Sequence, residues 1–194
     1  MSLAAPPASR PEDETASKGQ KPASDGGTGP FGFLFFVVVV LFLAFGVVRP
    51  FVAEPLAITT ASMEPTLKAG DSVLATKFAY RFAEPERGDL VLFEAPADGA
   101  PTIKRVVGVP GDKIAVRDGV LFVNGEKTRE DYVDYNLTDS TFFGTTDVPE
   151  GHVYVMGDNR SNYLDSRSYG PVPEADLLGE VPLRAWPLDR ISAV

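Results

Sequence analysis

A serine stands at position 62 in the stretch TTASMEPTL (Thr59–Leu67), shortly after a long apolar run. A serine hydroxyl is a poor nucleophile until a base removes its proton, and histidine is the usual base. The chain has 1 histidine, His152, in a strand-like segment far along the sequence, GHVYVMGDNR. Either Ser62 does no chemistry or a different base serves it. Lysine is the next candidate. At its ordinary pKa of about 10.4, roughly one lysine in a thousand is neutral at neutral pH. It becomes a useful base only where burial disfavours its charge. Beyond the apolar run the lysines are Lys68, Lys77, Lys104, Lys113 and Lys127. Lys68 and Lys127 lie in turn contexts, Lys113 follows Pro-Gly-Asp, and Lys77 suits an outward strand position. Lys104 differs, because TIKRVVGVP surrounds it with Ile103, Val106 and Val107. In a strand, Lys104 and Arg105 point to opposite faces. One charge can then face the interior and the other solvent or an acidic partner; alternatively, both lie on the surface of a twisted edge.

The elements that must position these residues are set by composition. Of 194 residues 44% are hydrophobic, enough for a core, and the net charge of −9 argues against a nucleic-acid partner. Cysteine is absent, which excludes disulfides, thiol nucleophiles and cysteine-ligated metals. No metal or cofactor is expected. Residues 1–30, rich in Pro, Gly, Ser and charge, read as a disordered polar tail. The run FGFLFFVVVVLFLAFGVV (residues 31–48) carries no charge over 18 residues. As a helix it would span roughly 27 Å, close to the ~30 Å hydrocarbon core of a bilayer. It has no polar stripe and exceeds a usual signal-peptide core, so a single membrane anchor is expected. Basic residues flank it on both sides and favour a cytoplasmic N-terminus only slightly.

Residues 50–194 read as short strands and tight turns, so a mainly β domain of antiparallel sheet is predicted. TIKRVVGVPGDKIAV shows two strands about a Pro-Gly-Asp turn. AVRDGVLFVNGE has hairpin signals at Asp118-Gly119 and Asn124-Gly125. No helical pattern of any length follows the apolar run.

With SMEPTL (Ser62–Leu67), RGDLVLF (Arg87–Phe93), KRVVGVPGD (Lys104–Asp112) and GDNRSNYLDSR (Gly157–Arg167) in this order behind an apolar segment, the chain resembles the type I signal peptidases. These are membrane-bound serine-lysine proteases. The resemblance covers the chain from near Phe51 to near Pro182. It implies that Ser62 is the nucleophile and Lys104 the general base of an acyl-enzyme hydrolysis. The Ser62 N–H and the Thr60 hydroxyl would form the oxyanion hole. The substrates implied are the signal peptides of exported preproteins, bound as an added strand with small residues before the cut. Residues 56–59 and 101–104 would flank that strand, with Leu56, Ile58, Met63 and Ile103 as pocket walls. Asp158, Arg160, Asp165 and Arg167 would form a charged framework around the lysine. His152 reads as an ordinary strand residue, and Arg87-Gly88-Asp89 as structural.

The resemblance further implies a bilayer partner, a monomer, and a catalytic domain outside the cytoplasm on the plasma or inner membrane. In the interval where the family inserts a second domain, residues 113–149 leave room for a small hairpin cap. One position departs from the family pattern: Tyr163 stands where a serine usually bonds the lysine. Its hydroxyl could reach the lysine differently, its ring could bury the lysine, or it could point away while Ser161 or Ser166 substitutes. Two further readings stay open, a membrane-tethered β module that binds without catalysis and a peptidase specialised for one substrate.

Overall fold

The computed structural model describes residues 30–43, 53–135, 138 and 142–194. The tail before Pro30 and the end of the apolar run, residues 44–48, lie outside the described residues. A helix covers Pro30–Leu41, 12 residues with the sequence PFGFLFFVVVVL. Proline suits the first helical turn, where its missing N–H would have had no partner. No helix among the described residues is long and apolar enough to cross a membrane.

Residues 39–194 form one compact unit. Its described residues form twelve strands: β1 Ala53–Ala57, β2 Ser72–Thr76, β3 Leu90–Glu94, β4 Pro101–Gly108, β5 Lys113–Arg117, β6 Val120–Val123, β7 Glu126–Lys127, β8 Phe143–Asp147, β9 His152–Met156, β10 Val172–Pro173, β11 Leu177–Trp186 and β12 Ser192–Ala193. The larger sheet has the order β1-β2-β11-β3-β4-β9-β10, with β12 beside β11. The smaller runs β7-β6-β5-β8. Every pairing is antiparallel, as the strand-and-turn pattern predicts. Two four-residue helices, Ala79–Phe82 and Ser166–Tyr169, are the only α-helical turns described after the first helix.

The hairpin turns follow from backbone preference. Asp118 and Gly119 have φ of 51° and 74°, and Asn124 and Gly125 have 56° and 86°. Positive φ at both central residues defines the turn whose twist matches paired strands, and Asn, Asp and Gly tolerate it best. Interval 113–149 is more than a hairpin: β8 adds to the outer edge of β5 through Ile114↔Thr146 and Val116↔Phe143. Ile114, Val116, Leu121 and Val123 of this small sheet pack with Tyr154 and Met156 of β9. Pro182 lies within the long β11, where the register to β2 shifts between Glu180 and Leu183. A residue that cannot donate a ladder bond is tolerated at such an irregularity.

Candidate active site

Ser62 sits in the turn between β1 and β2. The chain leaves β1 extended and is pinned there: Ile58 N–H donates to Asp71 O at 2.8 Å, and Gly70 N–H donates to Ile58 O at 2.9 Å. Met63 and Leu67 then point into the core formed with Ile58, Val73, Leu90 and Ile103. They are 2% and 0% exposed, and each such side chain contributes about 1.5–3 kcal/mol by burial. The serine beside these two pegs therefore has little freedom. Its hydroxyl lies 3.2 Å from Thr60 Oγ1. Its carbonyl accepts from the Asn159 N–H at 3.2 Å, and Asn159 Nδ2 also donates to Ala61 O at 3.1 Å.

Lys104 lies in β4, opposite Val91 of β3. It is 2% exposed, whereas Lys68, Lys77, Lys113 and Lys127 are all exposed. Lys77 pairs with Glu54 at 2.7 Å, and Lys113 pairs with Asp147. Burial holds the Lys104 pKa below the ordinary lysine value; the nearby Arg167 charge adds to this, while Asp165 and Asp158 oppose it. Among the described residues no hydrogen bond or ion pair reaches Lys104 Nζ, and the Ser62 hydroxyl is bonded to Thr60 rather than to the lysine. Strand alternation sends Arg105 to the other face, where an acidic partner rather than solvent receives it. Arg105 Nε and Nη2 donate to Asp158 Oδ1 and Oδ2 at 2.9 and 2.8 Å, and Nη1 donates to Gly88 O at 2.7 Å.

The loop after β9 carries the other polar residues. Asp158 also accepts from Thr66 Oγ1 at 2.5 Å, which ties this loop to the Ser62 turn. Arg160 forms a buried pair with Glu130, and its Nε donates to Gly157 O at 3.1 Å. Asp165 accepts from Gly157 N–H at 3.0 Å, from Arg167 Nε at 2.8 Å and from Arg167 Nη2 at 2.7 Å. Arg167 Nη1 in turn donates to Arg160 O at 2.7 Å. The four charged residues singled out in this loop thus enter three ion pairs, two of which reach outside it. The ring of Tyr163 lies over the Arg167 guanidinium, 4.8 Å from Cζ to centroid, with Phe143 of β8 at 6.4 Å. Ser166 is buried, its hydroxyl accepting from Val155 N–H at 3.0 Å. Ser161 is exposed.

A groove of about 140 Å³ runs past Ser62. Leu56, Ile58, Met63 and Ile103 all line it, together with Thr60. On one side lies β1, an edge strand whose only partner among the described strands is β2. On the other side is the start of β4, which pairs with β3 from Pro101 onward but meets β9 only from Arg105. Both flanking segments therefore leave backbone groups without a neighbouring strand on the groove side.

His152 stands apart from this arrangement: its Nδ1 lies 3.0 Å from Glu150 O at the start of β9. Arg87 pairs with Asp112, and Asp89 accepts from Glu86 N–H at 2.9 Å, so the Arg-Gly-Asp triplet is engaged in local structure. Sequence reasoning did not single out Asn159, Thr66, Glu130 or Tyr132. Asn159 lies inside a recognised motif, and hydroxyl-to-carboxylate contacts such as Thr66–Asp158 have no sequence signature. Glu130 and Tyr132 lie in an irregular segment with no periodicity to mark which residues turn inward.

The unit thus carries a serine on a pinned turn, a buried lysine in β4 and a small groove between two strand edges. Residues 32–186 match the family "Signal peptidase, peptidase S26", and the chain belongs to that family. It is accordingly an enzyme, a serine endopeptidase of the hydrolase class. It is 39% identical over 163 residues to "Probable signal peptidase I-2" of Synechocystis sp., covering 80% of this chain and 73% of that one. It is 36% identical over 171 residues to "Signal peptidase IB" of Staphylococcus aureus, covering 80% and 89%. Identity to "Thylakoidal processing peptidase 1, chloroplastic" of Arabidopsis thaliana is 39% over 155 residues, 74% of this chain and 45% of the plant protein. The chain thus spans less than half the length of that relative.

Proposed function

We propose that this peptidase removes N-terminal signal peptides from exported preproteins, cutting after small residues of the Ala-x-Ala kind. Ser62 is the nucleophile and Lys104 the base. The observation that carries the reading is the burial of Lys104: at 2% exposed it is the only buried lysine among the described residues. Burial is what makes an amine available as a base at neutral pH.

In the first step Ser62 Oγ attacks the scissile carbonyl as its proton passes to neutral Lys104 Nζ. The hydroxyl must first turn from Thr60 towards the lysine; catalytic hydrogen bonds often form only with substrate in place. Turning also frees the Thr60 hydroxyl to join the Ser62 N–H as a donor to the developing oxyanion. Lys104 then gives its proton to the leaving amine nitrogen as the C–N bond breaks, leaving an ester on Ser62. It next takes a proton from water as the water oxygen attacks that ester. As the acyl C–O bond to Ser62 breaks, Lys104 returns that proton to Ser62 Oγ, and the signal peptide departs with a new C-terminal carboxyl group that ionises in water.

The substrate enters as a strand between residues 56–59 and 101–104, its backbone filling the unpaired edges of β1 and β4. The small groove walled by Leu56, Ile58, Met63 and Ile103 favours small side chains. Asp158, Arg160, Asp165 and Arg167 hold geometry rather than move protons, and Tyr163 acts through the Arg167 it covers. Residues 31–48 form the membrane anchor. The N-terminus is cytoplasmic and residues 50–194 lie on the far side, where signal peptides emerge.

Detergent-purified protein tests the reading with a preprotein whose signal peptide ends in Ala-x-Ala. Wild type is expected to release the signal peptide, and Ser62→Ala and Lys104→Ala each to abolish release. Cleavage by Lys104→Ala would reject the lysine as base. Failure of the wild type on several preproteins would favour a tethered binding module.

A further inference from the structure

We infer that Glu130 and Tyr132 are positioning residues that hold the nucleophile and the base in mutual register; this rests on the reading of Ser62 and Lys104 given above. Both lie between β7 and β8, in a segment of irregular backbone. Glu130 is 2% exposed although it carries a charge. A carboxylate so placed is retained only when its oxygens are paired, and here both are. Arg160 Nη1 donates to Oε2 at 2.7 Å, Arg160 Nη2 donates to Oε1, and the Tyr132 hydroxyl donates to Oε1 at 2.8 Å.

From this carboxylate two paths run to the site. Along the first, Arg160 Nε donates to Gly157 O. Gly157 is packed against the nucleophile itself: a Cβ built on it would stand 2.5 Å from Ser62 O. Two residues on, the Asn159 N–H donates to that same carbonyl. Along the second, the Tyr132 ring lies 4.0 Å under the Arg105 guanidinium. Arg105 adjoins Lys104 and is bonded twice to Asp158, which holds Thr66 of the Ser62 turn. One three-residue segment thus braces the turn that carries the nucleophile and the strand that carries the base. Either brace alone would serve stability. Their convergence on the two reacting partners is what assigns a role in positioning.

The test uses full-length protein in detergent. Glu130→Gln keeps the shape and removes the charge, whereas Tyr132→Leu removes the ring beneath Arg105. Each is expected to lower kcat about 10- to 100-fold, as small misplacements of reacting groups do. KM should change by less than about two-fold, because the groove is untouched. Circular dichroism and the unfolding midpoint must show each variant folded at the assay temperature. In Glu130→Gln the backbone amide resonances of Ser62, Gly157 and Asn159 are expected to shift. Unchanged kcat in folded variants, or a loss no greater than the fall in folded fraction, overturns the inference. Resonance changes that stop at Arg160 overturn it equally. If the wild type cleaves no preprotein, the assignment of nucleophile and base fails instead. The resonances then decide separately whether Glu130 reaches Ser62. Should Glu130→Gln not fold, Tyr132→Leu carries both measurements.

Discussion

On the proposed reading, the chemistry of Ser62 turns on where one proton resides at Lys104. Burial lowers this lysine's pKa from 10.5, so the unfolded chain binds the proton more tightly than the folded one. Folding is penalised at neutral pH, and the penalty disappears as the pH rises from the depressed value towards the ordinary one. Lys104→Met is therefore expected to abolish cleavage yet raise the unfolding midpoint at pH 7, by a gain that shrinks towards pH ~10. Thermal melts of both proteins across that range check it. The wild-type rate should also rise with pH through the folded-state pKa, which lies below that of a free lysine. Tyr163 belongs to the same scale. Its ring on Arg167 shields a charge that itself helps lower the Lys104 pKa.

At the scale of elements, the proposed catalytic geometry depends on a loop and a turn meeting backbone to backbone. Gly157, directly after β9, lies against the Ser62 carbonyl, and a methyl group there would stand 2.5 Å from that oxygen. Neither backbone can yield as a flexible side chain would. Gly157→Ala is expected to keep the fold, since both sheets lie outside the contact, and to cut kcat at least ~10-fold with little change in KM. Steady-state kinetics beside a circular dichroism spectrum separates this from misfolding. Asn124-Gly125 and Asp118-Gly119 show the opposite case, turns legible in advance because positive φ is a local demand that few residues meet.

Across the whole molecule, the helix and the β unit ask for different solvents. The helix PFGFLFFVVVVL has no polar residue on any side, a pattern that water does not reward. The unit from residue 39 onward holds three buried clusters of its own. A chain starting near Pro50 is expected to fold and stay in solution without detergent and to cleave a soluble peptide substrate. The full chain should sediment with membranes and be released only by detergent. Ultracentrifugation of both forms tests this, and a truncated form that aggregates would tie the apolar segment to the fold of the β unit.

What the sequence by itself determined is whatever depends on neighbours along the chain. Strand alternation, the Asn-Gly and Asp-Gly turns and the apolar run are local patterns. The apolar surroundings of Lys104 likewise marked it out from the other lysines. Motif order led from there to the family. What only the tertiary structure decided is which distant groups share a buried charge. Arg105 found Asp158 across 53 positions, and Arg160 found Glu130 across 30. Nothing local distinguishes Glu130 from the exposed Asp131 beside it, because burial of a carboxylate depends on a guanidinium delivered by another part of the fold. The same holds for Tyr163: its spacing signalled a departure near the lysine, and only packing between Arg167 and Phe143 showed where its ring goes.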